Sequence, residues 1–262
     1  VEVTGGPGHA ATLAGQYVSR GFSRVITWGG DGTINETAGP LIGSGVVFGI
    51  VPAGSGDGLA RGLGLWRPAE QALAVALTHP ARAVDVGWLG PRHFLNIGGI
   101  GFDAAVAAAF NRRSKRGQAG YVIDSLLGVW SYKSLAYTVE LDGARVHGPC
   151  FVVAFANCRE YGNGIVLVPN ADPTDGQLDM VMVAGGSPLR QFWRARRLSW
   201  RRLAPADGVR RSRITSAAVS GGLLQCHVDG QTFDATGTLA VSITPGAILI
   251  AGVAAGPRSL ES

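Results

Sequence analysis

The chain has 262 residues, of which 46% are hydrophobic and 16% charged, and its formal net charge is +5 at neutral pH. This composition is typical of a globular protein with one large or two modest cores, and it excludes an intrinsically disordered chain. No apolar run reaches the roughly 18 to 20 residues that a membrane-spanning helix needs. The basic balance favours anionic partners, such as nucleotide phosphates, acidic lipids or nucleic acids.

The first third of the chain alternates helix and strand patterns. The predicted elements are, in chain order, a helix from Gly8 to Arg20, a strand from Arg24 to Trp28, a helix from about Thr33, a strand from Val46 to Val51, a helix from about Asp57 and a helix from Pro68 to Thr78. The apolar periodicity and the glycine-rich turns between these elements set their bounds. This alternation predicts a parallel sheet with flanking helices.

Strand-like segments dominate after about Val86. Two helices, from Phe102 to Asn111 and from Gly120 to Tyr132, are followed by predicted strands over 136–141, 151–156, 178–183, 213–219, 239–243 and 247–251. Asp142-Gly143 and Asp229-Gly230 are hairpin-turn signals. Short strands separated by such turns predict a β-sandwich. We therefore expect an α/β domain over residues 1–87, a β-rich domain over 88–251, and a tail over 252–262 that is a candidate to return to the first domain.

A glycine-rich segment at residues 29–36 follows a hydrophobic strand and precedes a helix. It reads Gly-Gly-Asp-Gly-Thr-Ile-Asn-Glu. Glycines let the backbone approach a ligand closely, and the N–H groups at the start of the following helix suit a phosphate. A carboxylate beside phosphate is explained if Asp31 holds Mg²⁺ or accepts the proton of an attacking hydroxyl. The alternative is an ordinary strand–turn–helix corner in which Asp31 is a cap.

A second glycine-rich segment, at residues 51–61, again joins a strand to a helix. It reads Val-Pro-Ala-Gly-Ser-Gly-Asp-Gly-Leu-Ala-Arg. Three glycines, a hydroxyl and a capping residue within seven positions suit an anion. The alternative is a flexible turn without a ligand.

Together the two segments resemble the nucleotide-binding signatures of the diacylglycerol kinase and sphingosine kinase family, whereas the first alone also resembles NAD kinases. Residues 94–104, 155–179 and 227–231 resemble later blocks of the bacterial lipid kinases, so the resemblance covers nearly the whole chain. It implies an α/β nucleotide-binding domain, a β-sandwich-like lipid-acceptor domain and a catalytic cleft between them. It also implies ATP and Mg²⁺ as cofactors, and a lipid hydroxyl as acceptor, with diacylglycerol favoured.

The same resemblance implies roles for particular residues. The implied catalytic residues are Asp31, Asp103 and Gln231. The implied nucleotide-binding residues are Thr4, Gly29, Gly30, Asp31, Gly32, Thr33, Glu36, Gly54, Ser55, Gly56 and Asp57. Metal binding is expected from Asp31, Asp172 and Asp175, although the loop that carries the last two fits turn chemistry as well.

Two positions depart from the family pattern. Asp57 stands where the family usually has Asn, and a carboxylate cannot donate to a phosphate, so Asp57 would cap a helix or need a Mg²⁺ bridge. Gln231 stands where the family commonly has Glu; if that Glu helps to deprotonate the lipid, the chain loses roughly 10²- to 10⁴-fold in rate. Two alternatives stay open: a NAD or sugar kinase that shares the first segment, and a catalytically weak lipid- or nucleotide-binding module.

A helix predicted from Ser187 to Leu203 carries aromatic residues and leucines on one stripe and arginines on the remainder. This pattern suits the headgroup region of an anionic membrane, or a surface helix packed on the second domain. Residues 112–116 add to this basic character. The expected partners are a lipid substrate at a membrane surface and anionic headgroups; no nucleic acid is expected, because no binding motif accompanies the charge.

The sequence also supports expectations about the cellular compartment and about a segment that precedes this chain. Three cysteines without metal-ligand spacing indicate a reducing compartment, so we expect a cytoplasmic protein that associates peripherally with membranes, with a homodimer left open. The chain begins inside a strand-like run at Val1 to Thr4, and the family's first strand with its phosphate loop is not recognisable. The resemblance therefore predicts a preceding segment, and an unstable or inactive protein without it.

Overall fold

The computed structural model describes residues 1–111, 132–141, 143–162, 165–187, 189–191 and 208–254. Helices and strands alternate in the first part, where glycine-rich turns separate apolar runs. The elements are α1 (His9–Ser19), β1 (Arg24–Gly29), α2 (Asp31–Leu41), β2 (Val47–Pro52), α3 (Gly58–Gly62), α4 (Ala69–Thr78), β3 (Ala81–Leu89) and β4 (Arg92–Phe94).

The first part is built on the parallel pair β1 and β2, in which Val25 lies beside Phe48. α2 packs on β1, and α4 packs on β2. The core between these layers includes Ile34, Phe48 and Ile50, which are almost completely buried. Burial of each such side chain contributes roughly 1.5 to 3 kcal/mol to the free energy of unfolding. The predicted parallel sheet with flanking helices is confirmed.

Antiparallel strands form the second part. The elements are β5 (Ile97–Gly101), α5 (Phe102–Asn111), β6 (Leu135–Leu141), β7 (Ala144–Ala156), β8 (Glu160–Gly162), β9 (Ile165–Val166), β10 (Leu178–Ala184), β11 (Val209–Ile214), β12 (Ser216–Val228) and β13 (Gln231–Ala251). The hydrogen-bonded order of the main sheet is β1-β2-β13-β12-β5-β7-β10-β11. The core of the second part includes Tyr137, Phe155 and Leu178, all fully buried.

β13 joins the two parts. It pairs antiparallel with β12 and β3, and its end pairs in parallel with β2, with Leu249 beside Val47. The pairing with β3 shifts register between Thr244 and Ile248, where a bulge bends the strand. β13 therefore completes the parallel sheet of the first part. The predicted domain boundary near residue 87 falls within β3, and it stays a prediction.

Most predicted elements agree with the structure within a few residues, and α5 has the predicted bounds. The predicted strand over 213–219 is wrong, because β11 ends at Ile214 and β12 begins at Ser216. The predicted strands over 239–243 and 247–251 are one strand, since Pro245 lies in the bulge of β13 and not in a turn. The sequence patterns did not anticipate β3, β4, β5, β8 or β9.

Several predictions concern residues outside the described part of the chain. They are the helix over 120–131, the basic run over 112–116, Asp142, the tail beyond residue 254 and most of the helix over 187–203, of which residues 189–191 are described and helical. Within the described residues, no helix has the length and apolar character needed to cross a bilayer.

Candidate functional site

The two glycine-rich turns lie against each other where the parallel strands β1 and β2 end. We call residues 29–33 loop 1 and residues 53–58 loop 2. The N–H of Ala53 donates to the carbonyl of Gly29 at 2.9 Å. A methyl group added to Gly54 would lie 2.8 Å from the Cα of Gly30, so the loops approach this closely only because neither residue has a side chain. The loops converge, as the sequence predicts.

Loop 1 leads directly into α2, whose first N–H groups have no partner within the helix. Its first intrahelical hydrogen bond runs from the N–H of Ile34 to the carbonyl of Gly30 at 3.0 Å. The amides of residues 31–33 therefore carry the partial positive charge of the helix N-terminus without a helical acceptor. This arrangement suits phosphate oxygens.

Asp31 joins the two loops through both carboxylate oxygens. Its Oδ2 accepts the N–H of Gly58 at 3.0 Å, and its Oδ1 accepts the N–H of Leu59 at 3.1 Å. These amides begin α3, so Asp31 caps a helix of the neighbouring loop and not its own. Burial raises the pKa of Asp31, and the charges of Asp229 and Asp57 add to this rise, whereas the two N–H groups oppose it. Asp31 is therefore a better proton acceptor than an exposed aspartate.

Asp57 closes loop 2 on itself. Its Oδ1 accepts the N–H of Gly54 at 2.7 Å. Its backbone lies in the left-handed region, with φ of 47°, a conformation that few residues other than glycine and asparagine adopt readily. Asp57 precedes α3, but its side chain makes no hydrogen bond to the N-terminus of that helix. The sequence predicts helix capping as one role for Asp57, but the side chain that caps α3 is that of Asp31.

Gln231 and Asp229 bring the second part of the molecule to loop 1. Gln231 Nε2 donates to the carbonyl of Gly32 at 3.2 Å. Asp229 accepts the N–H groups of residues 95–97 at 2.9 to 3.0 Å, and Asn35 Nδ2 donates to it at 2.8 Å. One carboxylate thus connects α2, the segment between β4 and β5, and the hairpin between β12 and β13.

Asp103 lies at the start of α5, where it contacts β12. Its Oδ1 accepts the N–H of Ala104 at 2.8 Å, and its Oδ2 lies 3.1 Å from His227 Nε2. The side chains of this pair are 8% and 2% exposed, so the contact is shielded from water. Asp103 thus contacts β12 just before the hairpin that carries Gln231.

The family follows from comparison with known proteins. A family model described as "Diacylglycerol kinase catalytic domain" matches residues 1–89. A second model, described as "YegS C-terminal NAD kinase beta sandwich-like domain", matches residues 97–252. The chain belongs to the diacylglycerol kinase and YegS-like lipid kinase family. The predicted resemblance and the two-domain fold class, α/β followed by β-sandwich-like, are confirmed.

Curated relatives have names of the same kind. A protein from Chromohalobacter salexigens named "Probable lipid kinase YegS-like" is 35% identical over 198 residues, which cover 73% of this chain and 64% of that protein. A protein from Mycobacterium tuberculosis named "Diacylglycerol kinase" is 32% identical over 196 residues, covering 71% and 63%. The chain thus spans slightly less than two thirds of the length of these relatives.

Solved structures share the fold of this family member. A diacylglycerol kinase from Bacillus anthracis superimposes with a TM-score of 0.71 at 20% identity, covering 95% of this chain and 82% of the other. An NAD kinase from Archaeoglobus fulgidus, solved in complex with ATP, has a TM-score of 0.51 at 12% identity, covering 94% and 83%. At these identities the likeness concerns the fold alone.

The acidic loop of this lipid kinase family member, residues 172–176, is held by its own side chains. Asp172 Oδ1 accepts the N–H and the hydroxyl of Thr174 at 3.0 and 2.7 Å. Asp175 Oδ1 accepts the N–H of Gln177 at 3.0 Å, and Oδ2 pairs with Arg213. These are the contacts of the turn alternative. In the described residues no three His, Cys, Asp or Glu side chains gather as metal ligands, and binding at Asp172 and Asp175 stays a prediction.

Asp85 anchors the acidic loop, and the sequence reasoning missed it. It is 2% exposed, and its oxygens accept the N–H groups of Gly176 and Gly246, both at 2.7 Å. Burial raises the pKa of Asp85, while these two N–H groups oppose the rise. Asp85 thereby ties the loop to the bulge of β13. The sequence signal that could have revealed Asp85 is its position as a charged residue in the middle of an apolar run.

The other predicted nucleotide-binding residues lie on or beside the two loops. Glu36 Oε2 accepts the N–H of Gly8 at 2.9 Å, which ties α2 to the start of α1. Ser55 is exposed on loop 2, and Thr4 lies in the exposed segment before α1. The structure thus gathers the predicted residues of loops 1 and 2, with Gln231 beside them. Asp103 pairs with His227, and Asp172 and Asp175 belong to the separate acidic loop. Their assigned roles stay predictions.

Three further side chains organise the site through contacts that the sequence did not reveal. They are Asn35, Asp229 and His227. Asp229 was visible only as part of a hairpin turn, although an aspartate at a φ of 48° before glycine is the signal of such a turn. His227 could have been noticed as a polar residue within an apolar strand. Asp229 lies 194 residues from Asn35, and His227 lies 124 residues from Asp103, so no local pattern reveals these contacts.

Proposed function

We propose that the protein is an ATP-dependent lipid kinase, which transfers the γ-phosphate of ATP to a lipid hydroxyl, with diacylglycerol as the first candidate acceptor. The observation that carries the proposal is the junction of the two loops. Asp31 of loop 1 binds the backbone of loop 2, and Gln231 of the second part reaches Gly32. The two phosphate-suited turns therefore meet at one carboxylate whose pKa is raised, and the second domain contacts the residue next to it.

The proposed chemistry is an in-line displacement. The lipid hydroxyl oxygen forms a bond to the γ-phosphorus, the bond between that phosphorus and the bridging oxygen breaks, and ADP leaves. Asp31 accepts the hydroxyl proton, because its raised pKa favours proton uptake. The amides of residues 31–33 bind and orient the phosphates.

Mg²⁺ fits the same loops. Mg²⁺ is usually held by one or two carboxylates together with substrate phosphates. Asp57 is the carboxylate that loop 2 offers for this role, and Asp31 would join it only in place of accepting the proton, because a bound cation lowers the pKa of a carboxylate. Their existing contacts leave lone pairs on the carboxylate oxygens for a cation. Bound there, Mg²⁺ would offset phosphate charge.

Peripheral association with a membrane is part of the proposal. Trp28 lies beside loop 1 and Trp66 follows α3 beside loop 2, and they are 60% and 51% exposed. The Arg61 guanidinium stacks on Trp66 at 4.0 Å from the ring centroid. Exposed tryptophan beside arginine suits the headgroup region of an anionic membrane. We expect the protein to act from the cytoplasm and to bind no nucleic acid.

A transfer assay tests the function. The full-length protein would be given γ-labelled ATP and Mg²⁺ with diacylglycerol, sphingosine, NAD or a sugar, the lipids in mixed micelles. We expect label in a lipid product, and about 10²-fold less of it, or lower still, when Asp31→Asn replaces the natural protein. Label in NAD or the sugar alone would overturn the lipid assignment, and absence of any labelled product would overturn the kinase assignment.

One observation favours a second candidate, a catalytically weak nucleotide- or lipid-binding module. Gln231 donates a hydrogen bond to Gly32 at the place where the family commonly has a carboxylate. The Gln231→Glu variant decides between the two candidates. A rise in turnover of about tenfold or more would support the weak module, whereas unchanged or lower turnover would support the lipid kinase, with Gln231 as a residue that holds loop 1.

A further inference from the structure

The hairpin turn at residues 228–231 is held from several sides. Asp229 accepts the N–H groups of residues 95–97, at the start of β5. The carbonyl of Gly230 accepts Asn111 Nδ2 at 3.0 Å, which ties the turn to the end of α5. Gln231 in turn donates to loop 1. The position of this turn therefore determines where Gln231 and Asp229 stand relative to Asp31.

His227 binds the turn and Asp103 at the same time. The side chain of His227 is 2% exposed, its Nε2 lies 3.1 Å from Asp103 Oδ2, and its Nδ1 accepts the N–H of Gly230 with an N–N distance of 3.4 Å. An amide N–H can only donate and a carboxylate oxygen accepts, so these partners assign the proton to Nε2 and leave Nδ1 as the acceptor. His227 is thus fixed in one tautomer by contacts to α5 and to the turn.

Little space is left around the pair. β12 places His227 opposite Gly99 of β5. A methyl group on Gly99 would overlap the carboxylate of Asp103 and lie 2.6 Å from His227 Nε2. The pair therefore packs directly on the backbone of β5, against a residue without a side chain. Such restricted side chains are suited to holding other groups in place.

We propose that His227 is a positioning residue for phosphoryl transfer: it fixes the turn that carries Asp229 and Gln231 against loop 1. The inference rests on the proposed function, but its structural content does not. His227 acts through Gly230 and through Asp103 at the start of α5. Displacement of a reacting group by about 1 Å is enough to lower a rate by about 10².

Three substitutions of His227 test the two hydrogen bonds of its imidazole one at a time. His227→Asn keeps an acceptor near the position of Nδ1, so the bond from Gly230 can persist. His227→Gln keeps a donor near the position of Nε2, so the bond to Asp103 can persist. His227→Leu removes both with similar volume. A matched control is His147→Leu, at an exposed histidine of β7 in the same part of the molecule.

The kinetic experiment measures kcat and the KM for ATP with the favoured lipid acceptor, below the melting temperature of every variant. We expect His227→Leu to lower kcat by about 10- to 100-fold with little change in KM, and His227→Asn to recover most of the loss. His147→Leu should match the natural protein. Natural kcat in His227→Leu, or equal losses in all three variants, would overturn the inference.

A second readout keeps the inference independent of the kinase activity. Hydrogen exchange would be followed at the amides of Gly230 and Gln231, with exchange in α5 as an internal reference. We expect faster exchange at these amides in His227→Leu than in His227→Asn, and an imidazole ¹⁵N spectrum of the natural protein with the proton on Nε2. Unchanged exchange, or a proton on Nδ1, would overturn the inference even if the protein proved to be no kinase.

Discussion

Loop 1 and the acidic loop at residues 172–176 look alike in the sequence and differ in the structure. Both place aspartate beside glycine in a turn, and both were candidates for metal binding. Asp31 reaches across to another loop and binds the amides that begin α3. Asp172 folds back on Thr174, two residues further on. The comparison teaches that an acidic turn becomes a candidate site when the fold presents it to a second turn.

The strongest test of the difference between the two loops is substitution of Asp31. Asp31→Asn should lower turnover by about 10² or more, because the amide cannot take the acceptor's proton. Asp172→Asn is the matched control, and we expect it to change turnover by no more than about twofold. The measurement is labelled phosphate transfer at saturating ATP. Equal losses in both variants would show that the two loops are not functionally different.

The pH profile sharpens the assignment of Asp31. Because burial raises the pKa of this carboxyl, it stays protonated to a higher pH than an exposed aspartate and cannot then accept a proton. We expect kcat/KM to rise with pH through this raised pKa and then to level off. The profile of Asp31→Asn should lack that acid limb. A limb that persists in the variant would assign it to another group.

A smaller effect is expected where the two loops touch. In Gly54→Ala the new methyl would meet the Cα of Gly30 and Asp57 Oδ1, both at 2.8 Å. We expect a loss of about 1 to 3 kcal/mol in the free energy of unfolding, measured by urea denaturation. Gly222→Ala is the control, because nothing lies within 4 Å of its added methyl. Equal stability of the two variants would mean that the contact between the loops is loose.

The smallest effect concerns the anchor of the acidic loop. The pKa of Asp85 is raised in the folded protein, so ionisation costs more there than in the unfolded chain. Its contribution to the free energy of unfolding should therefore fall as pH rises from the unfolded value of about 3.9 through the raised folded value. We expect the natural protein to lose stability relative to Asp85→Asn over that interval. The reverse slope in urea denaturation would contradict the assignment.

Loop 1, loop 2 and the elements around them were accessible from the sequence because their signals are local. A short apolar strand, a glycine turn and a helix start occupy consecutive residues, and α2 and α5 follow from such patterns. The continuity of β13 could not be predicted, since the sequence around Pro245 resembles that of a turn, whereas the structure has a bulge there. The partner of Asp31 was equally hidden, because Gly58 and Leu59 are brought to it by the pairing of β1 with β2.

Local patterns are sufficient to predict the family resemblance, the parallel sheet of the first part, both glycine loops and the hairpin at Asp229, because each depends on neighbouring residues. The folded molecule is needed to show that Asp31 caps α3, that Asp85 anchors the acidic loop, and that His227 joins α5 to the hairpin. Those contacts join residues far apart in the chain. Their strength depends on burial, which raises the pKa of Asp31 and Asp85 and is a property of the packed molecule.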